Sequence, residues 1–272
     1  MYRFEFASSP FDEFVDKRGS TRRRGTFGMI VHEMGRLIVD GTYAVGTTLP
    51  REDELIAKLD VSRTPFREAM KTLAAKGLVE IRPKTGTRVR KRSDWHHTDP
   101  DVMVWHYEAG PSKEFLDSLA DLRRVLEPAA AARAAERATK ADIARIGNAY
   151  RGMCETIGNP KAHSEADREF HTAIFLATHN LMLSRMIDMI VVGIYANAVM
   201  ASAAVVEGQR RSLPYHAAVL AAIETKDPIA AAAAADRLLD SWHPVPERVR
   251  LAKRRERALA RPETMRGPNV SH

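Results

Sequence analysis

Cysteine is nearly absent from this sequence. Cys154 is the only one among 272 residues, so the chain can form no internal disulfide framework. A single thiol is typical of proteins from a reducing compartment, and we expect a cytoplasmic location. The N-terminus also lacks a continuous apolar core, because Asp12, Glu13 and Asp16 interrupt it, so we expect no signal peptide. A disulfide-rich secreted scaffold is therefore excluded.

Long hydrophobic runs are also scarce. One stretch, residues 189–206, has no charged residue over 18 positions, which is close to the length of a membrane span. Because it is rich in alanine and includes Tyr195, Asn197 and Ser202, we interpret it as a buried helix of a bundle. We expect no membrane partner. Strand patterns are nearly missing beyond residue 110, which favours a mainly α fold.

Basic charge is concentrated in two parts of the chain, although the net charge is +7 overall. Residues 1–93 carry 19 Lys and Arg against 12 Asp and Glu, whereas residues 94–244 carry 15 against 20. Residues 245–272 are again basic, with 8 against 3. A basic N-terminal segment beside an acidic middle segment is the pattern expected when one domain binds nucleic acid.

A helix beginning after Ser62 best explains this basic segment. Ser62 can cap the helix, and Pro65 is tolerated in a first turn that lacks internal donors. The inward face is apolar and comprises Phe66, Ala69, Met70 and Leu73. The outward face is cationic and comprises Arg63, Arg67 and Lys71. Guanidinium groups on such a face can contact guanine edges or phosphates in a major groove.

The segments around this helix predict a winged helix-turn-helix. An apolar stripe from Met29 to Ile38 predicts a first helix, and residues 51–59 predict a second. Residues 78–82 and 87–90, joined by a turn at 83–86, predict a basic β-hairpin. Helix, turn, capped basic helix and basic hairpin follow one another in the order that this DNA-binding fold requires.

The rest of the chain predicts an all-helical bundle. Candidate helices span residues 112–137, 140–158, 161–178, 181–206, 211–225 and 228–242. The predicted organisation is a mobile basic arm (1–24), a winged helix-turn-helix DNA-binding domain (25–91), a linker (92–111), a helical effector-binding domain (112–243) and a basic C-terminal tail (244–272).

Three residues of the bundle form a candidate metal site. Asp167 and His171 lie four positions apart on a predicted helix, so a carboxylate and an imidazole share one face, and His216 lies on a later helix. An Asp, His, His set suits a divalent cation such as Zn, Ni or Mn. The alternative is an ordinary surface ion pair between Asp167 and His171.

The N-terminal motifs resemble a known family. Residues 46–55, 61–69, 77–79 and 86–87 closely resemble the DNA-binding domain of GntR-family transcription regulators. The resemblance implies a double-stranded DNA operator contacted by Arg51, Ser62, Arg63, Thr64, Arg67, Lys71, Lys84, Thr85 and Gly86. The family usually has an arginine where this chain has Asp53, whose carboxylate suits the helix dipole but repels phosphate. Arg51 is the expected substitute.

The bundle resembles the FCD effector domain of the FadR subfamily. The similar segments include 122–130, 133–135, 167–171, 179–180 and 216. Many members bind a metal through one Asp and three His beside an organic-acid pocket, which implies Asp167, His171 and His216 as ligands and Arg123 and Asn180 as effector-binding residues. The fourth ligand position falls near Leu238, which cannot ligate. A water, Asp236, Asp240 or the effector would then supply that ligand.

These observations predict a non-enzymatic, ligand-responsive transcription regulator. Residues 99–102 and Trp105 are similar to those of repressors of galactonate and sugar-acid catabolism, so we expect a homodimeric repressor released from a palindromic operator by a sugar acid or another small hydroxy or carboxylic acid. Two alternatives are a helical metal-dependent hydrolase with a nucleic-acid-binding module and a fatty acyl thioester sensor of the same architecture. The metal set is normally absent from the thioester sensors.

Overall fold

A computed structural model describes residues 25–83, 85–199 and 203–241. The chain folds into two compact units that separate between Pro111 and Ser112. The first unit contains α1 (Gly25–Val39), α2 (Glu52–Leu59), α3 (Arg63–Ala75), β1 (Val79–Arg82), β2 (Gly86–Val89) and α4 (Pro100–Glu108). The second contains α5 (Lys113–Arg137), α6 (Lys140–Glu155), α7 (Pro160–Ala177), α8 (Leu181–Val199), α9 (Ala203–Glu224) and α10 (Pro228–Ser241). The mainly α fold is confirmed, and the predicted arm and tail lie outside the described residues.

The core of the first unit forms between α1 and α3. The apolar stripe of α1 is buried, and so is the predicted inward face of α3, comprising Phe66, Ala69, Met70 and Leu73. The second helix starts one residue later than predicted, because Arg51 is its N-cap. Ser62 stands at the N-cap of α3 in extended conformation, as predicted, but its hydroxyl caps no backbone N–H among the described residues.

The predicted hairpin is an antiparallel pair of strands. Val79 pairs with Val89 at one end and Arg82 pairs with Gly86 at the other, where a φ of 90° favours glycine. The segment before α2 also bonds to this wing, because the Leu49 N–H donates to the Thr87 carbonyl at 2.8 Å and the Val89 N–H donates to the Thr47 carbonyl at 2.9 Å. The wing is therefore anchored to the chain that leads into α2.

The segment predicted as a linker is folded into the first unit. Trp95 and Trp105 both belong to the core that α1 and α3 form. The Trp105 indole N–H donates to Nδ1 of His32 at 3.0 Å, and a Cβ atom added to Gly35 would lie 2.5 Å from the Trp105 ring. Two large aromatic residues in a short segment carry enough apolar area to dock α4 on α1.

A partly buried ion cluster connects α4 to the end of α3. The Lys76 ammonium group lies 2.7 Å from Asp99 and 2.9 Å from Asp101. Burial alone would lower the pKa of Lys76, but the two carboxylates outweigh it and raise that pKa. Asp99 also caps α4, since its side chain accepts hydrogen bonds from the Asp101 and Val102 N–H groups. The C-terminus of α3 and the N-terminus of α4 are thus joined by one carboxylate.

The second unit is a bundle of the predicted helices with one clear difference. α9 begins at Ala203 rather than at residue 211, and it runs through Pro214 without a break. Pro214 is exposed, and a proline removes one backbone donor and strains one turn, which can kink a helix without ending it. α5 contacts α7 and α10, and α7 contacts α6 and α8. Within the part of the chain described, no helix combines the length and apolarity needed to cross a membrane.

The packing of Trp105 on Gly35 predicts that Gly35→Ala destabilises the first unit. A methyl group there would overlap the indole ring, and overpacking of this kind costs about 1–3 kcal/mol. Gly208→Ala is the matched control, because nothing lies within 4 Å of its added Cβ. That variant should gain up to about 1 kcal/mol from helix propensity. Urea unfolding followed by tryptophan fluorescence measures the free energy of unfolding of each variant. Equal effects of the two substitutions would contradict the docking of α4 on α1.

The buried histidine of α4 predicts a stability that depends on pH. Burial, together with the positive charges of His97 and Arg92, lowers the pKa of His106 from 6.5 to about 3. Between pH 6.5 and about 3, His106 is protonated in the unfolded chain but not in the folded chain. The free energy of unfolding therefore decreases on acidification by up to about 1.4 kcal/mol per pH unit. His106→Gln should flatten the dependence, whereas exposed His96→Gln should leave it intact. Urea unfolding from pH 7.5 downward gives the slopes.

Candidate functional site

The predicted metal set converges in the second unit. Asp167 and His171 share a face of α7, and His216 comes from α9. One ligand atom from each lies within 4.8 Å of the others. The Asp167 Oδ1 atom is 3.1 Å from Nε2 of His216 and 3.4 Å from Nε2 of His171. The two imidazoles are buried, while the Asp167 side chain is 24% exposed, so the cluster is approachable on the carboxylate side.

Both imidazoles are oriented by an acceptor on their other nitrogen. Nδ1 of His216 lies 2.9 Å from the Ser212 carbonyl, and Nδ1 of His171 lies 3.2 Å from Oε2 of Glu127. A carbonyl can only accept, so Nδ1 of His216 carries a proton and donates to Ser212, which leaves Nε2 facing Asp167. Histidine ligands of metals are typically held in this way. The chemistry of the donor set therefore fits a borderline divalent cation bound by two nitrogens and one oxygen.

The charges of the cluster alternate along a buried chain of side chains. Burial alone would raise the pKa of Glu127, but Arg123 and His171 lower it to about 2. Burial would lower the pKa of His171, but Glu127 and Asp167 raise it to about 9. Likewise, the two histidines hold the pKa of Asp167 well below its usual range despite burial. At neutral pH the ion-free cluster is thus an ion pair network, in which a divalent cation would replace the proton on Nε2 of His171.

Arg123, which we predicted to bind the effector, is buried against Glu127. Its Nε donates to Oε1 of Glu127 at 2.5 Å. Asn180 lies elsewhere: it is exposed at the start of α8, where its side-chain oxygen accepts hydrogen bonds from the N–H groups of Met182 and Leu183. The structure gives Asn180 a capping role, and its contact with an effector stays a prediction.

The candidates for a fourth protein ligand are not in the cluster. Leu238 is buried on α10, Asp236 is exposed, and Asp240 is engaged at 2.8 Å with the exposed Arg124. Among the described residues, the ligand set consists of Asp167, His171 and His216 without either carboxylate of α10. Of the four suggested suppliers of a fourth metal ligand, a water and the effector remain.

Two residues beside the cluster were missed in the sequence. Glu127 contacts His171 directly, and its signal was the four-residue spacing from Arg123. His163 is buried one turn before Asp167, with Nδ1 3.0 Å from the Met153 carbonyl. Burial lowers its pKa despite the nearby charge of Asp167. Its signal was the spacing His163, Asp167, His171, which places three polar groups on one stripe of a helix.

The cationic face of α3 is exposed, as predicted, and each cation has an acidic neighbour. Arg63 lies 2.8 Å from Asp53, Arg67 lies 2.9 Å from Glu52, and Lys71 lies 2.8 Å from Glu68. Asp53 contacts Nη2 of Arg63, whereas Glu52 contacts Nε of Arg67. The Glu52 contact therefore does not involve the two terminal nitrogens with which an arginine grips guanine.

The other predicted DNA contacts surround this face. Arg51, Ser62 and Thr64 are exposed at the starts of α2 and α3. Thr85 and Gly86 are exposed at the tip of the wing, and Lys84 lies outside the described residues. Exposed side chains at two helix N-termini and a hairpin tip form the kind of surface that a winged helix-turn-helix presents to DNA.

Two family models match the chain, one in each unit. Residues 26–89 match the model of bacterial regulatory proteins of the gntR family, and residues 118–241 match the FCD domain. The galactonate operon transcriptional repressor of Escherichia coli (strain K12) is 36% identical over 157 residues, which are 58% of this chain and 69% of that protein. The Uxu operon transcriptional regulator of the same strain is 39% identical over 150 residues, or 54% of this chain and 56% of that protein.

A solved structure shares the overall fold. Lar, which controls the expression of the Listeria monocytogenes agr system, aligns with a TM-score of 0.58 at 15% identity over 85% of this chain and 98% of that chain. The family matches favour a regulator over both alternatives, the metal-dependent hydrolase and the fatty acyl thioester sensor. The chain belongs to the gntR family of bacterial regulatory proteins and carries an FCD domain, and it is a ligand-responsive, DNA-binding transcription regulator.

Proposed function

We propose that this regulator is a homodimeric repressor that leaves its operator when a small hydroxy acid binds at a divalent cation held by Asp167, His171 and His216. The observation that carries the proposal is the convergence of one carboxylate oxygen and two Nε2 atoms within 4.8 Å. Each Nε2 has its ring oriented through Nδ1, which is how ligand histidines are held. Zn, Ni and Mn are the candidate ions.

The open side of the cluster supports a chelating effector. A bound cation with vacant positions can coordinate a carboxylate and a neighbouring hydroxyl group of one molecule. Three protein ligands leave such positions, and the partly exposed Asp167 marks the approachable side. Relatives are named for the galactonate and Uxu operons, which supports sugar acids as the first class to test.

The DNA side of the proposal rests on α3. Arg63, Arg67 and Lys71 form an exposed cationic face, and a buried apolar face holds the helix in place. One winged unit makes few base contacts, so two units related by a dyad would read a palindrome. The effector would favour a conformation of the protein with lower operator affinity, and a coupling of about 2–3 kcal/mol would weaken that affinity roughly 30- to 150-fold.

We predict that Arg67→Ala and Arg63→Ala reduce sequence discrimination, because each removes a guanidinium group from the groove-facing surface. The expected loss is about 1–3 kcal/mol for a matched against a mismatched operator. Lys71→Ala should weaken binding to all sequences and lower the salt slope by about 1. Operators selected from a random duplex library and titrated at several salt concentrations provide these quantities.

Arg133→Ala is the control for this experiment. Arg133 is an exposed arginine paired with Glu136 at 2.8 Å on α5, so its removal changes net charge equally but should leave discrimination unchanged. Sedimentation of the parent with operator DNA should show two protomers per duplex. Parental discrimination in both α3 arginine variants would show that α3 does not read bases, and a single bound protomer would refute the dimer.

We predict that Zn²⁺, Ni²⁺ or Mn²⁺ stabilises the parent against heat and that Asp167→Asn and His216→Gln abolish this effect. A ligand at 100 times its dissociation constant adds about 2.7 kcal/mol of stability. Aldonic and uronic acids should then bind the loaded protein and lower its operator affinity. Thermal unfolding, calorimetry and operator titration measure the three steps.

His179→Gln is the matched control, because His179 pairs with Asp142 at 2.8 Å in the same unit but outside the cluster. This variant should respond to the cations as the parent does. Stabilisation that survives in Asp167→Asn would place the cation elsewhere. An acid that binds without changing operator affinity would identify a ligand that does not regulate DNA binding.

A further inference from the structure

Glu127 uses both carboxylate oxygens in buried contacts with different helices. Oε1 accepts from Nε of Arg123 one turn earlier on α5, at 2.5 Å. Oε2 lies 3.2 Å from Nδ1 of His171 on α7. The side chains of Arg123, Glu127 and His171 are only 4–6% exposed, so solvent cannot substitute for any of these contacts.

The second contact fixes what His171 can do. An ionised carboxylate only accepts hydrogen bonds, so Nδ1 of His171 must carry a proton and Nε2 is left to face Asp167. A carboxylate behind a ligand histidine also makes the imidazole a better donor toward a cation. Without this contact the ring could rotate or adopt the other tautomer, and Nε2 would no longer point at Asp167.

The first contact fixes Glu127 itself. With a cation in place of the proton on Nε2, His171 would be neutral and could not compensate the charge of Glu127, and an uncompensated buried charge is strongly unfavourable in a protein interior. The guanidinium group of Arg123 supplies that compensation from the same helix at i−4. Arg123 can therefore stabilise the charge of Glu127, which contacts His171, without contacting an effector.

We propose that Glu127 is the positioning residue for the metal ligand His171 and that Arg123 acts through Glu127 rather than on the effector carboxylate. The proposal rests on the cation site proposed above. It adds two residues to that site and changes the expected role of Arg123.

His216 provides an internal contrast. Its Nδ1 is held by the backbone carbonyl of Ser212, which side-chain substitution does not remove. The Nδ1 atom is thus held by a side chain in His171 and by the backbone in His216. Replacing Glu127 should weaken one ligand and leave the other two, so cation binding should become weaker and geometrically altered rather than disappear.

The test measures Zn²⁺ affinity of the full-length protein by competition with a chromophoric chelator and records the visible spectrum of the Co²⁺-loaded protein. Glu127→Gln should weaken Zn²⁺ binding by about 10- to 100-fold, the usual effect of removing an outer partner of a ligand histidine. The Co²⁺ bands should shift, because a neutral amide is a weaker acceptor for Nδ1 than a carboxylate, and the imidazole of His171 then becomes a weaker donor to the cation. Asp240→Asn, which breaks the exposed pair with Arg124 outside the cluster, should alter neither quantity.

Arg123→Met and the double variant Arg123→Met, Glu127→Gln test the order of action. If Arg123 acts through Glu127, the double variant binds Zn²⁺ as weakly as Glu127→Gln alone. The double variant also removes both buried charges together, so it stays testable if a single variant leaves an unpaired charge and fails to fold. Helical circular dichroism and operator binding in the absence of Zn²⁺ confirm that each variant is folded.

The outcomes separate this proposal from the one on which it rests. A parent protein that binds no Zn²⁺ or Co²⁺ would remove the cation site and this inference together. Parental affinity and an unchanged Co²⁺ spectrum in folded Glu127→Gln or in the folded double variant would overturn the positioning role alone. A further loss of Zn²⁺ affinity on adding Arg123→Met to Glu127→Gln would show that Arg123 acts independently.

Discussion

One buried carboxylate with partners on two helices constrains the second unit. Glu127 has to accept from Arg123 on α5 and from His171 on α7, and neither contact can be exchanged for water. Breaking a buried ion pair on one side typically costs about 3–5 kcal/mol, so these helices are held to a register in which both contacts exist. Through Asp167 the same network reaches His216 on α9. The convergence of Asp167, His171 and His216 is thus a consequence of how three helices must pack to keep their charges compensated.

The exposed cationic face of α3 is held by the opposite kind of interaction. The ion pairs of Arg63 and Arg67 with α2 are largely exposed, and exposed pairs contribute only about 0–1 kcal/mol each. Such pairs orient the two arginines, and in the proposed complex with DNA phosphates and guanine edges would displace the carboxylates at little cost. Strong ion pairs in the bundle and weak ones on α3 therefore suit the proposed function, in which the bundle keeps its ligand site and α3 exchanges carboxylates for DNA.

The first unit owes its extent to two tryptophans and one lysine. Trp105 fills the space beside Gly35, and Lys76 joins the end of α3 to Asp99 and Asp101 at the start of α4. These contacts make α4 part of the winged unit, so this unit reaches Pro111. A segment with few residues can be structurally integral when its aromatic side chains supply apolar area and its charges are buried in pairs.

The sequence by itself determined the elements and the chemistry that depends on local spacing. Helical periodicity predicted α1, α3 and the bundle helices, alternation predicted the wing, and the i, i+4 rule placed Asp167 beside His171. The sequence also offered His216 on a later helix as their partner, and the family resemblance supported that set. These features are local or strongly patterned, so they do not need the fold in order to be recognised.

Only the tertiary structure decided which other polar residues contact the side chains of those motifs. The four-residue spacing of Arg123 and Glu127 fits an exposed ion pair equally well. This pair is buried, and Glu127 contacts His171, because α7 packs against α5. The docking of α4 likewise depends on neighbours distant in the chain. Burial changes the energy of a charge by several kcal/mol, and burial is set by packing between helices, which spacing along one helix does not encode.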